Sequence, residues 1–103
     1  MATHAVQSIE KIDIDANVFV LLGFFGVDLA NLGPKAAAKK LRNRIFISYN
    51  DRLMSVARRM VDFRVKTGHI DPQMSDAICT DLFNQLIAIR DELTRREHRL
   101  GIE

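Results

Sequence analysis

FISYNDRLMSVARRMVDFRVKTGHIDPQMSDAICTDLFNQLIAIRDEL, residues 46–93, decides the fold. Its first half places Phe46, Tyr49, Leu53, Val56, Met60 and Phe63 at intervals of three and four residues. That spacing is the seam of an amphipathic helix, because a strand would alternate at every second residue. Gly68 then offers a left-handed stop, and Asp71-Pro72 offers a cap followed by a residue suited to a first helical turn. A second seam follows at Cys79, Leu82, Leu86, Ile89, Leu93 and Leu100, with Arg96 at an expected apolar position and Phe83 and Ile87 widening the stripe. Two helices joined by so short a turn are expected to pack antiparallel. Folding about Thr67–Asp71 brings Phe63 to Met74, Met60 to Ile78, Val56 to Leu82 and Phe46 to Leu93.

Charge fits such a hairpin. Residues 71–89 hold Asp71, Asp76 and Asp81 and no Lys or Arg, whereas Arg52, Arg59 and Lys66 recur by sevens beside the facing seam. Flanking charges of opposite sign help to set partner and orientation in paired helices. Asp91–Arg95 and Glu92–Arg96 are acid-first pairs on one helix face, and Gly101 is the expected helix end.

Upstream, Pro34, the alanines 36–38 and Leu41 extend the first hairpin helix backwards, so one helix from about Pro34 to Lys66 is expected. Its weak point is 44–50, where β-formers are bracketed by Asn43 and Asn50, and a kink or two helices remains open. Earlier still, Val18–Val27 is apolar on every side. Asp13 or Asp15 can cap a helix there and Gly33-Pro34 can end it. A helix apolar all round is buried all round. Two other helices do not suffice to surround it, so a second copy, another protein or lipid is expected to cover it. Val20, Leu21, Phe24, Phe25 and Val27 are then the partner-binding residues, and Gly23 and Gly26 allow a close backbone approach. A short strand within 10–22 is the alternative, since Ile12 and Ile14 alternate with Asp13 and Asp15. The expected fold is all-α: an apolar first helix plus a long antiparallel hairpin, oligomeric, with residues 1–12 a flexible leader and 13–103 a single helical domain.

The whole chain of 103 residues, 48% hydrophobic and 27% charged with a net charge of +2, has the length of one domain and too little net charge for disorder. The charge is uneven. Residues 35–66 hold ten Lys/Arg against Asp51 and Asp62, while the segments on either side are each net negative. The apolar run of ten residues is half the ~20 that span a bilayer, which argues against a membrane partner. No secretory signal pattern opens the chain and its one cysteine, Cys79, is expected to be an inert core thiol, so a cytoplasmic protein is expected.

No catalytic constellation emerges, and neither a cofactor, a metal nor an enzymatic activity is expected. His4, His69 and His98 are not at ligand spacing on one helix, and no lysine follows the glycines as a phosphate loop requires. Arg64 and His69 stand at a spacing similar to that of some helical ribonuclease domains, but Val65 follows the arginine where those domains carry a polar residue. Lys35, Lys39, Lys40, Arg42 and Arg44 precede a heptad-like seam, the layout of a basic zipper. The seam is aromatic-rich and already has an intramolecular partner, so what survives is phosphate neutralisation without sequence reading. The expected function is a helical interaction, regulatory or adaptor protein, as a homodimer or with another protein. The alternative is non-specific nucleic-acid binding through those five cations.

Overall fold

Ser48 interrupts the long helix. The computed structural model describes residues 11–102, with side chains to Glu97, and comprises α1 (Val18–Phe24), α2 (Pro34–Ile47), α3 (Asn50–Lys66), a 3-10 turn (Pro72–Met74) and α4 (Ser75–Ile102). The fold is all-α, with no strand among the described residues. At the break, Ser48 (φ −92°, ψ 140°) and Tyr49 (φ −81°, ψ 168°) are both extended. The Ser48 hydroxyl donates to the Arg44 carbonyl at 2.5 Å, and the Ser48 N–H donates to the Ile45 carbonyl at 3.2 Å. A serine that bonds back to its own helix gives the backbone an alternative to the next turn.

Across the turn the two helices run antiparallel. Ser48, Met54 and Arg58, in rising order, meet Arg90, Cys79 and Asp76 in falling order: Arg90 Nη1 donates to the Ser48 carbonyl at 3.1 Å, Met54 Sδ lies 4.0 Å from Cys79 Sγ, and Arg58 Nη2 lies 3.0 Å from Asp76 Oδ1. Gly68 takes the left-handed conformation (φ +82°), while the Arg64 carbonyl accepts the His69 and Ile70 N–H groups. Asp71 caps the 3-10 turn through the Gln73 N–H at 2.9 Å, and α4 follows from Ser75. Gly101 does not end α4, which continues to Ile102. Leu100, the last seam position, lies outside the residues whose side chains are described.

The core is shared by all four helices. Leu21 and Leu22 of α1, Leu41 and Ile45 of α2, Val56 and Met60 of α3, and Leu82 and Leu86 of α4 are fully or almost fully buried. The first helix departs most from expectation. It spans seven residues, because Asp13 caps a separate turn through the Asp15 and Ala16 N–H groups and Gly26, at φ +81°, turns the chain away. Ile12 and Ile14 do alternate with exposed neighbours, yet they pack into the core as an unpaired segment rather than a strand. Ile12, within the expected leader, is therefore a core residue, and residues 1–10 of that leader lie outside the described residues.

Burial of the apolar run is one-sided. Val18, Leu21, Leu22, Phe25 and Val27 are buried, whereas Phe19 and Val20 are 39% and 38% exposed. A helix of two turns needs little cover, and α2 and α3 both pack on it. Leu21, Phe25 and Val27 are thus core residues of a single chain, which corrects their assignment to a partner. Neither glycine marks a close backbone approach: a Cβ at Gly23 would meet nothing within 4 Å, and at Gly26 only the Arg52 guanidinium at 3.9 Å.

Candidate interaction surfaces

Two of the five expected partner-binding residues, Val20 and Phe24, remain at the surface, on adjoining positions of α1. Phe24 is half-buried against Phe63 of α3, with ring centroids 6.0 Å apart and planes at 63°, an edge-to-face pair. Phe63 is 48% exposed and packs its edge here, on Phe24. Val20, Phe24 and Phe63 make an apolar strip across α1 and α3, while Phe19 lies about 140° around α1 from Phe24 and stands apart from it. Arg59, Asp62 and Lys66 join the two rings in lining a groove of about 290 Å³. The carrier of the strip, Phe63, was hidden in the sequence by its place in the 3–4 spacing. Ten residues past Leu53, at 100° each, it has rotated about 80° from that residue, towards α1.

The seven-residue spacing of Arg52, Arg59 and Lys66 is a real face of α3, but it looks to α1 and not to the acids of α4. Arg52 Nη2 donates to the Phe25 carbonyl at 2.9 Å, closing the end of α1. The cation that meets α4 is Arg58, bridging Asp76 and, at 3.6 Å, Asp62. Farther along α4, Glu92 accepts from Arg95 at 2.5 Å and from Arg96 at 3.3 Å, and the Arg95 guanidinium, then Arg96, holds its carboxyl below the usual range. Arg95 thus turns to Glu92 and not to Asp91.

The second surface is α2. Lys35, Lys39, Lys40, Arg42 and Arg44 are all exposed, spread over roughly 200° of the helix circumference, and none is held in an ion pair among the described residues. Arg42 lines two adjoining grooves against α4, of about 250 and 210 Å³, with Leu93 and Arg96 in both and Phe46 in the second. At the end of α2 the break exposes Tyr49, a residue of the expected seam, to 85%, and Ile47 beside it to 63%. Extended backbone at Ser48 and Tyr49 ends the helical phase, so Tyr49 no longer follows Phe46 around one cylinder.

Burial pushes the Cys79 thiol up, opposed by Arg58. His69 Nδ1 lies 2.9 Å from the Thr67 hydroxyl, and Arg64 donates to the Asn17 side chain. Arg64 and His69 line one groove of about 610 Å³ with Asp13 and Asp71, whose carboxylates serve as caps. Among the described residues no group of three potential metal ligands converges and no helix is long and apolar enough to cross a membrane. No protein-family model, curated protein or solved structure matches this chain.

Proposed function

We propose that this chain is a small helical interaction protein of the regulatory or adaptor kind, acting in the cytoplasm, with the α1–α3 strip as its contact surface and a second copy as its simplest partner. Phe63 carries the reading: an aromatic ring half open to water, continued by Phe24 and Val20. Together they expose roughly 200 Å² of apolar surface, most of it from two aromatic rings. In a two-fold contact each strip meets its own copy. Asp62, between Arg59 and Lys66, supplies the opposite sign that such a self-complementary edge needs.

Light scattering and sedimentation equilibrium from about 1 to 100 µM test this reading, a range that brackets weak self-association. The wild type is expected to exceed the mass of one chain, and Phe63→Asp to return it to that mass with unchanged helicity. A wild type that stays monomeric throughout, with Phe63→Asp altering nothing, removes the support for the strip as an interface.

A second reading is supported by the exposed cations of α2, which suit a polyanionic surface, nucleic acid being the polymer that the basic run itself suggests. It makes binding salt-dependent and indifferent to base sequence.

A further inference from the structure

Between residues 35 and 50 stand five Lys/Arg and no Asp/Glu, and the same segment ends in Ile47 and Tyr49, the two most exposed large apolar side chains of the described chain. Between those two, Ser48 is pinned three times: by its hydroxyl to Arg44, by its N–H to Ile45 and by its carbonyl to Arg90 of α4. The corner therefore does not fold back to cover Ile47 or Tyr49 without breaking bonds to two helices. It is a fixed, convex, apolar tip on a cationic helix.

We propose that this α2–α3 corner docks on the surface of an anionic lipid bilayer, an inference that rests on the polyanion reading of α2 and names its partner. Three features favour a bilayer over a nucleic acid. Ile47 has no role in base stacking, whereas an aliphatic side chain enters the acyl boundary and a tyrosine suits the headgroup level. Phe46, the other aromatic at the corner, is 36% exposed and lines the α2–α4 groove, so most of its surface is taken up by the protein. The five cations also lie on no single stripe. With α2 lying along the surface, cations spread around a helix 10–12 Å across all fall near the Debye length of a charged plane, about 8 Å at physiological salt. Asp51, in the first turn of α3, is the acid nearest in sequence to the tip and opposes the attraction in part.

The chain has one tyrosine and no tryptophan, so its tyrosine emission reports on this tip alone. Full-length protein is mixed with vesicles of phosphatidylcholine, with or without roughly 30% phosphatidylserine, at rising salt. Sedimentation is expected with the anionic vesicles only, falling as salt rises, and brominated acyl chains are expected to quench Tyr49. Replacing both Lys39 and Lys40 with Ala is expected to weaken partitioning about 25-fold, at roughly five-fold per cation. Ile47→Asp is expected to abolish the quenching while leaving the circular dichroism spectrum unchanged, since Ile47 packs on no core. Binding to duplex DNA or single-stranded RNA without vesicle binding overturns the lipid assignment and leaves the polyanion reading standing. Binding to none of these overturns both. Vesicle binding that is insensitive to salt, or unaccompanied by Tyr49 quenching, overturns the proposed docking mode.

Discussion

Replacing Leu21 and Val20 with Ala, one at a time, separates the two sides of α1. Leu21 is fully buried, and its truncation removes three carbons from a packed core. At about 0.8 kcal/mol per buried carbon the transfer loss is roughly 2.4 kcal/mol, and the cavity left behind brings the total to ~3–4 kcal/mol. Val20 is 38% exposed, so losing two methyl groups costs ~1 kcal/mol, of which the better helix propensity of Ala returns about half. In urea, with a slope of ~1.5 kcal/mol per molar, the midpoints should fall by ~2 M for Leu21→Ala and by under ~0.5 M for Val20→Ala. Circular dichroism at 222 nm, run at a low and a high protein concentration, reads both. Equal losses, or a larger one at Val20 under dilute conditions, would refute a one-sided helix. A Val20→Ala loss that appears only at high concentration is mass action on an interface and supports the self-association proposed for the strip.

Asp71→Ala removes the cap of the 3-10 turn and should cost ~1 kcal/mol in the same urea titration, with Asp71→Asn recovering most of it. Arg58→Ala and Asp76→Asn should each cost under ~1 kcal/mol and couple weakly in a double-mutant cycle, because the Asp76 side chain is 91% and the Arg58 side chain 41% exposed. Burial raises the folded-state pKa of Cys79. The stability this group contributes is therefore fully present below the ordinary thiol pKa of about 8.5 and is lost as pH rises through the raised value. Cys79→Ala should flatten that alkaline decline in stability curves measured above about pH 8.5, and in the native protein a disulfide reagent should modify Cys79 only as fast as the chain opens.

The hairpin was legible because its signals are local and agree. The 3–4 spacing, Gly68 and Asp71-Pro72 each act within a turn of where they stand, and Gly68 and Asp71 adopt the conformations their chemistry favours. The α2–α3 break was legible only as a weakness. Asn43 and Asn50 bracket the β-forming residues, yet the residue that breaks the helix is Ser48, through a bond to Arg44 that composition does not announce. The length of α1 was not legible at all. A glycine in an apolar run suits a close approach as well as a positive φ, and only the tertiary arrangement selects the second at Gly26.

The surfaces were misplaced for a different reason. Periodicity states which side chains share a face of a helix, but not which neighbour that face meets, and this depends on the hand of the bundle. Arg52, Arg59 and Lys66 do share a face, and α4 does offer acids, so pairing them is electrostatically sound. With α1 on that side, however, the face meets the Phe25 carbonyl and the Phe24–Phe63 rings, and Arg58, some 100° around the helix from Arg59, reaches Asp76 instead. The same placement decides what α1 exposes. Its core side is set by α2 and α3, so Phe24 is left at the edge beside Phe63 while Leu21 and Phe25 turn inward. A cationic stripe laid along an aromatic pair is therefore a product of helix order in space. Had α4 taken the side that α1 occupies, Arg59 and Lys66 would be neutralised within the chain and Phe63 would be core.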